Sequence, residues 1–297
     1  LSLSRHTDRN IVVTDVVSEN YSKHPTKSFC YKLSRIGLKN GEQEKIPAFI
    51  FFKFYRRDLG KDRKLLFIGE YENEKAILET TNSLRYGVVG GTEEIRIFPE
   101  CYSSKIPECD RYMCFFKEFV GEPSLIAIAD EKKDELKWED IKNAIRPVSL
   151  LHVNTPEILN EIPALEKTKL SKEDLGKTFL KYIKRITEAN GESLDMKLQE
   201  RIRNSFSEIA DKYLTDKRLE SVIHGDLNLY PHHLTNNIML DAGSISIGPF
   251  TADLAVFGSP VFNRGELRKP MKDRMELALK EYLATRGKIA DELKYEN

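Results

Sequence analysis

The sequence predicts an α+β protein of two lobes, a small strand-rich lobe over residues 1–118 and a larger, mostly helical lobe over residues 119–297. Three observations lead there. Short β-branched and aromatic segments bounded by turn residues crowd the first hundred or so positions. Farther along, apolar residues recur with the 3.6-residue period of helices. A chain of 297 residues also exceeds the size at which a single core usually stops growing.

Residues 11–18 and 28–36 read as the first two strands, and the turn Lys39-Asn40-Gly41 leads into residues 47–55, a nearly unbroken apolar strand interrupted by Lys53. A helix is expected over about 65–84. Strands follow over 94–99 and 113–119, separated by a loop bearing cysteines and prolines. The first lobe is therefore expected to hold a five-stranded sheet and one helix. Residues 119–123 join an apolar strand end to turn residues, the composition of a connector.

Phe179, Tyr182, Ile183 and Ile186 then share one helical face, opened by Ser171 with Asp174 three residues on and closed by Gly191. Leu198, Ile202, Phe206, Ile209 and Tyr213 form a second stripe. Strand-like segments return near 232–247, and 271–283 has helical character. The charged stretch 130–140 reads as a solvated loop or helix face, and the chain shows neither an internal repeat nor a low-complexity tract.

The 47 basic and 47 acidic side chains cancel, so no whole-molecule field gathers nucleic acid or an anionic membrane. No apolar run approaches the length that spans a bilayer, and the first ten residues lack a signal peptide's apolar stretch. Cys30, Cys101, Cys109 and Cys114 show neither C-x-x-C spacing nor the density of a disulfide scaffold. Reduced thiols in the cytoplasm are expected, with a Cys101–Cys109 bridge as the alternative. Neither a nucleic-acid nor a membrane partner is expected.

The chemistry concentrates between Val222 and Ala255. Two hydrophobic runs, Val222-Ile223-His224 and Ile238-Met239-Leu240, each lead to an aspartate close to a glycine: Gly225-Asp226 and Asp241-Ala242-Gly243. Phosphoryl transfer to an alcohol needs one carboxylate to orient the attacking hydroxyl and accept its proton. A second must hold the magnesium that neutralises the triphosphate. Turns beside short strands bring two such groups to one cleft without burying an unpaired charge.

His224-Gly225-Asp226-Leu227 resembles the catalytic loop of the aminoglycoside and choline phosphotransferases, Asp241-Ala242-Gly243 resembles their metal loop, and Asp253-Leu254-Ala255 matches the D-L-A that follows it. The separation of 253 − 241 = 12 residues is similar to theirs. Lys53, in the strand Phe49-Ile50-Phe51-Phe52-Lys53-Phe54, resembles the lysine that pairs the nucleotide phosphates. Glu74, ahead of Ala76-Ile77-Leu78, is the favoured partner for it, with Glu70 and Glu72 as competitors. Residues 115–123 look like the inter-lobe linker, and Leu151-His152 ends a predicted helix as L-H does in the family.

The resemblance covers residues 11–285 and is strongest around the two aspartates. It implies a protein-kinase-like fold, with a small antiparallel-sheet N-lobe, 1–118, that binds the nucleotide, and a larger helical C-lobe, 119–297, that carries the catalytic and metal loops and the substrate pocket. It further implies ATP and Mg2+ as cofactors, Asp226 as catalytic base or orienter, Asp241 as metal ligand, and Lys53 and Glu74 as nucleotide-binding residues. Asp253 would accept hydrogen bonds from the catalytic-loop backbone, with His224 also supporting that loop.

The chain departs from the family pattern at three places. The metal-binding asparagine expected five residues after Asp226 falls on Pro231, so Asn228, His232 or His233 would have to serve from a neighbouring position. Phe51 stands two residues before Lys53, where adenine usually packs against a small side chain. The turn over 19–27 contains no glycine to cradle phosphates. Structural explanations compete for single residues: Lys53 as a charge guarding a sheet edge, Glu74 as an exposed helix glutamate, and His232 and His233 as groups satisfying local backbone.

Glycine in place of arginine before Asp226, and the short span from Asp241 to Asp253, favour a small-molecule acceptor over a peptide. The leading expectation is an ATP-dependent kinase of a small alcohol or amino-alcohol. A pseudokinase that binds a nucleotide or a protein partner without turnover is the alternative, and a nucleotidyl transferase on the same fold is a third class.

Overall fold

A computed structural model describes residues 2–4, 10–12, 17–20, 28–34, 37–38, 49–56, 61–81, 85–87, 94–99, 101–104, 112–118, 136–173, 195–227, 238–258 and 262–295. The architecture is α+β, a mixture of helices and antiparallel sheet.

Ten strands precede residue 119 among the described residues: β1 (Ser2–Ser4), β2 (Asn10–Val12), β3 (Val17–Asn20), β4 (Ser28–Ser34), β5 (Gly37–Leu38), β6 (Phe49–Arg56), β7 (Arg85–Gly87), β8 (Glu94–Arg96), β9 (Cys101–Ser104) and β10 (Tyr112–Glu118). Eight of them form one sheet in the order β3-β4-β6-β10-β9-β1-β2-β5, and β7 and β8 pair as a separate ribbon. Its longest strands, β4, β6 and β10, are aromatic-rich segments suited to a pleated surface.

The sequence pattern predicts five strands here and one strand over 11–18. The structure instead has β2, paired with β1 and β5, and β3, paired with β4. Strands of two to four residues hold too few positions for an alternation to register, and only the neighbouring strand defines them. Strand β6 is interior, with Lys53 opposite Cys30 on β4 and Phe115 on β10. That placement removes the sheet-edge explanation for Lys53, because both sides of the strand are already paired.

Helix α1 (Lys61–Thr81) begins and ends slightly earlier than the pattern predicts. Its last turn is tied by the Thr81 hydroxyl, which donates to the Ile77 carbonyl at 2.7 Å. Ile77, Leu78 and Glu74 are buried on it.

Helix α2 (Trp138–Val153) opens with the Asp140 carboxylate accepting from the Lys137 N–H at 3.0 Å, and the Trp138 N–H donates to Glu266 at 3.1 Å. Ile141, Ala144, Ile145, Val148 and Leu151 make its buried stripe. That stripe belongs to the main core, which also takes in Ala278, Tyr282 and Ile289 of the last helix. Helix α3 (Thr155–Glu161) and the 3-10 turn Pro163–Thr168 follow.

Helix α4 (Met196–Thr215) begins at Asp195, whose carboxylate accepts from the N–H groups of Lys197 and Leu198. Its apolar stripe, in contrast, leaves Leu198, Ile209 and Tyr213 exposed, and Ala210 is its one buried residue. The chain then forms β11 (Glu220–Ile223), β12 (Ser246–Pro249), the short helix α5 (Thr251–Leu254) and α6 (Met271–Tyr295), a helix that runs past the end of the predicted 271–283. No described helix is long and apolar enough to cross a membrane. The predicted stripe from Phe179 to Ile186 and the connector 119–123 lie outside the described residues, as does Cys109; Cys101 is buried.

Candidate functional site

Strands β11 and β12 pair antiparallel with Val222 opposite Ile247 and Ile223 opposite Ser246, so both chain ends of the intervening loop start from one small ladder. The ladder is anchored to the junction of α2 and α3. The Val222 N–H donates to the Thr155 hydroxyl at 2.9 Å, and that hydroxyl donates to the His152 carbonyl at 2.9 Å.

Immediately after β11, the chain turns at Gly225, whose φ of +76° is the left-handed conformation that glycine adopts without steric penalty. Space imposes the same choice, since a Cβ there would lie 2.4 Å from the Ser244 carbonyl oxygen. The turn is held by Asp253 at the start of α5. One carboxylate oxygen accepts the His224 N–H at 2.8 Å and the other accepts the Gly225 N–H at 3.2 Å. Asp226 follows and is half-buried.

His224 links this turn to the second one. Its Nε2 donates to the Leu240 carbonyl at 2.7 Å. Nδ1 accepts from the Asp226 N–H at 3.4 Å, so both ring nitrogens are used by the neutral tautomer protonated on Nε2. Asp226 and Asp241 are thus two residues and one residue beyond a directly bonded pair.

Asp241 has φ 60° and ψ 68°, and among the described residues it is the one non-glycine with positive φ. Such a backbone costs roughly 1–2 kcal/mol for an L-residue, and aspartate is among the side chains that tolerate it. The 3-10 turn Ala242–Ser244 leads away from it and packs against α1, while the Met239 N–H donates to the Ile97 carbonyl at 3.0 Å. The second turn is thereby fastened to the strand-rich part of the chain.

Asp253 is 1 % exposed. Burial works to raise its carboxyl, but the hydrogen bond from His152, with that from the His224 backbone N–H, works the other way and holds it below the ordinary carboxylate range. His152 reaches it from α2, Nε2 to carboxylate oxygen at 3.0 Å, and the other ring nitrogen lies 2.8 Å from the Tyr282 hydroxyl on α6. Tyr282 is stacked on Phe250 at 5.0 Å and accepts a hydrogen bond from Arg286 at 3.2 Å. Burial pushes the Tyr282 phenol well up, a shift that Arg286 opposes and Asp253 reinforces.

The structure therefore brings His224, Asp226, Asp241 and Asp253 together. Glu74 is fully buried on α1, the helix that packs on the turn after Asp241, whereas Glu72 is exposed. Full burial removes the exposed-glutamate explanation for Glu74; the exposed i,i+4 pair on this helix is Lys75–Glu79. Lys53 sits on β6, and α1 lies against that strand. Asn228, Pro231, His232 and His233 lie outside the described residues. The sequence did not single out Tyr282; a tyrosine on a helix face carries no local sign that its hydroxyl reaches a histidine 130 positions away.

Among the described residues, no group of three or more His, Cys, Asp and Glu side chains is placed to hold a metal ion. No protein-family model matches the chain, and no curated protein matches it.

Proposed function

We propose that the chain is an ATP- and Mg2+-dependent phosphotransferase acting on the hydroxyl of a small alcohol or amino-alcohol, with the two-lobed protein-kinase-like fold, lobes 1–118 and 119–297, and a cytoplasmic setting. One observation carries most of the weight: Asp253 holds the backbone of His224 and Gly225, and the His224 ring bonds the Leu240 carbonyl, so half-buried Asp226 and Asp241 follow directly on two turns that are tied to each other. Holding reacting groups in fixed positions is a large part of catalysis, and phosphoryl transfer depends on positioning and electrostatics almost entirely. The strained backbone of Asp241 adds support, since such outliers cluster at functional sites.

In this reading Asp226 orients the acceptor hydroxyl and takes its proton. Asp241 holds the cation, with Asn228 or His232 as a further ligand. Carboxylate oxygens are the donors that Mg2+ prefers, so the residues fit the ion; when bound it would neutralise charge on the phosphates. Lys53 on β6, with Glu74 behind it on the adjoining helix, positions the phosphates.

Calorimetric titration of ATP with Mg2+ into the wild-type protein and Asp241→Ala tests this. Magnesium-dependent binding that the substitution abolishes is the expected result; absence of binding by folded wild-type protein overturns the reading. Pro231 favours a second reading, in which the same fold binds a protein partner and turns nothing over. Mg2+-ATP binding without phosphate transfer to any of a panel of small alcohols would move the assignment there.

A further inference from the structure

Partly buried Arg286 and fully buried Tyr282, His152 and Asp253 form a polar chain running from α6 through α2 to the turn before Asp226. Donors and acceptors can be assigned along it by counting. Each Asp253 oxygen accepts a backbone N–H, from His224 at 2.8 Å and from Gly225 at 3.2 Å, so the carboxylate acts as an acceptor and the His152 nitrogen facing it, Nε2, must carry hydrogen. The guanidinium of Arg286 only donates, which makes the Tyr282 oxygen an acceptor from that side.

That leaves the contact between the Tyr282 hydroxyl and His152 Nδ1, 2.8 Å apart. If Nδ1 also carried hydrogen, the tyrosine oxygen would accept from both neighbours and its own O–H would have no acceptor among the described residues. Tyr282 is 0 % exposed, and a buried donor without an acceptor is strongly disfavoured. A histidine protonated on Nδ1 alone would turn a lone pair toward the Asp253 carboxylate, which is repulsive. Only one arrangement satisfies every group: Arg286 donates to Tyr282, Tyr282 to Nδ1, and Nε2–H to Asp253.

We propose that Tyr282 is a positioning residue that holds His152 as the neutral tautomer protonated on Nε2, keeping Asp253 in place as the acceptor for the His224 and Gly225 N–H groups. The groups facing His152 are Asp253 from α5 and Tyr282 from α6; His224 lies beyond Asp253, Arg286 beyond Tyr282, and the Phe250 ring is 6.3 Å away. The last helix thereby sets the geometry of a turn at the other end of the chain of bonds. Its consequence for turnover rests on the phosphotransferase reading, whereas the tautomer itself does not.

The test is 15N-detected imidazole NMR on wild type, Tyr282→Phe and His152→Gln, the last identifying the His152 signals. Wild type is expected to show one protonated ring nitrogen, Nε2, at pH 7. Tyr282→Phe keeps the stacked ring and removes only the hydroxyl, so its His152 ring signals are expected to change, with amide exchange at His224 and Gly225 at least tenfold faster. A wild-type His152 protonated on both nitrogens at pH 7, or a Tyr282→Phe protein with unchanged ring signals and amide exchange, overturns the proposal. If ATP is bound and turned over, Tyr282→Phe lowers kcat, shifts its pH profile and leaves KM unchanged. A protein that does not bind ATP fails the functional reading alone, because the ring and amide signals are read without nucleotide.

Discussion

Helices α2 and α4 are both amphipathic, and both start at a carboxylate that accepts backbone N–H groups, yet they end in opposite circumstances. The core-facing stripe of α2 is covered by α6 and by the β11–β12 ladder, while α4 buries only Ala210 and leaves Leu198, Ile209 and Tyr213 exposed. The buried His–Asp–Tyr contacts hang on the first: His152 lies on α2 within hydrogen-bond reach of both Asp253 and Tyr282. A periodic pattern tells where a helix is. Whether its face is dry enough to make a His–Asp contact strong depends on what packs over it, because such contacts gain their strength from exclusion of water.

Substitutions can break this contrast or sharpen it. The largest effect is expected at Gly225, where Gly225→Ala meets both the +76° backbone and the Ser244 carbonyl at 2.4 Å. A loss on the order of 4 kcal/mol in urea-unfolding stability follows from left-handed strain plus overlap. A loss under 1 kcal/mol would mean that the turn is free to rearrange.

Next is Asp253→Asn, expected to cost about 3 kcal/mol, since an amide NH2 replaces one acceptor oxygen among three groups that donate to it. Because the folded carboxyl is held below its ordinary value, its contribution is complete above about pH 4 and disappears as pH falls through the lower folded value. Wild-type stability should fall across that acidic window, and the same descent should be shallower in Asp253→Asn.

Finally, the two helices can be compared with one substitution. Ile145→Ala, on the fully buried face of α2, is expected to cost about 2–4 kcal/mol, and Ile209→Ala on α4 less than about 0.5 kcal/mol. Equal losses in paired denaturation curves would show that α4 is covered as well as α2 and would remove the contrast.

Part of the helical framework was legible because a helix's apolar period is written within its own residues. Helices α1 and α4 fall where apolar spacing puts them, α6 starts where expected but runs well past 283, and of α2 only the end at Leu151-His152 was expected. The sheet was less legible. The aromatic strands β4, β6 and β10 announce themselves, but β5, with two residues, exists only because β2 lies beside it. At the site, Asp226, Asp241 and Asp253 stood out by their glycine neighbours and spacing. The burial of Glu74 and the reach of Tyr282 did not, since neither is written in adjacent residues.

The sequence by itself determined that this protein is α+β, where its principal helices run, and which aspartates lie next to turns, because periodicity, capping and glycine placement act over a few residues. Only the tertiary structure decided that β6 is an interior strand, that Glu74 is buried, and that a carboxylate on α5, itself bonded by a histidine 101 positions earlier, holds the turn before Asp226. Those contacts join groups far apart along the chain, and the directional hydrogen bonds that form them exist only once hydrophobic packing has brought the elements together and excluded water.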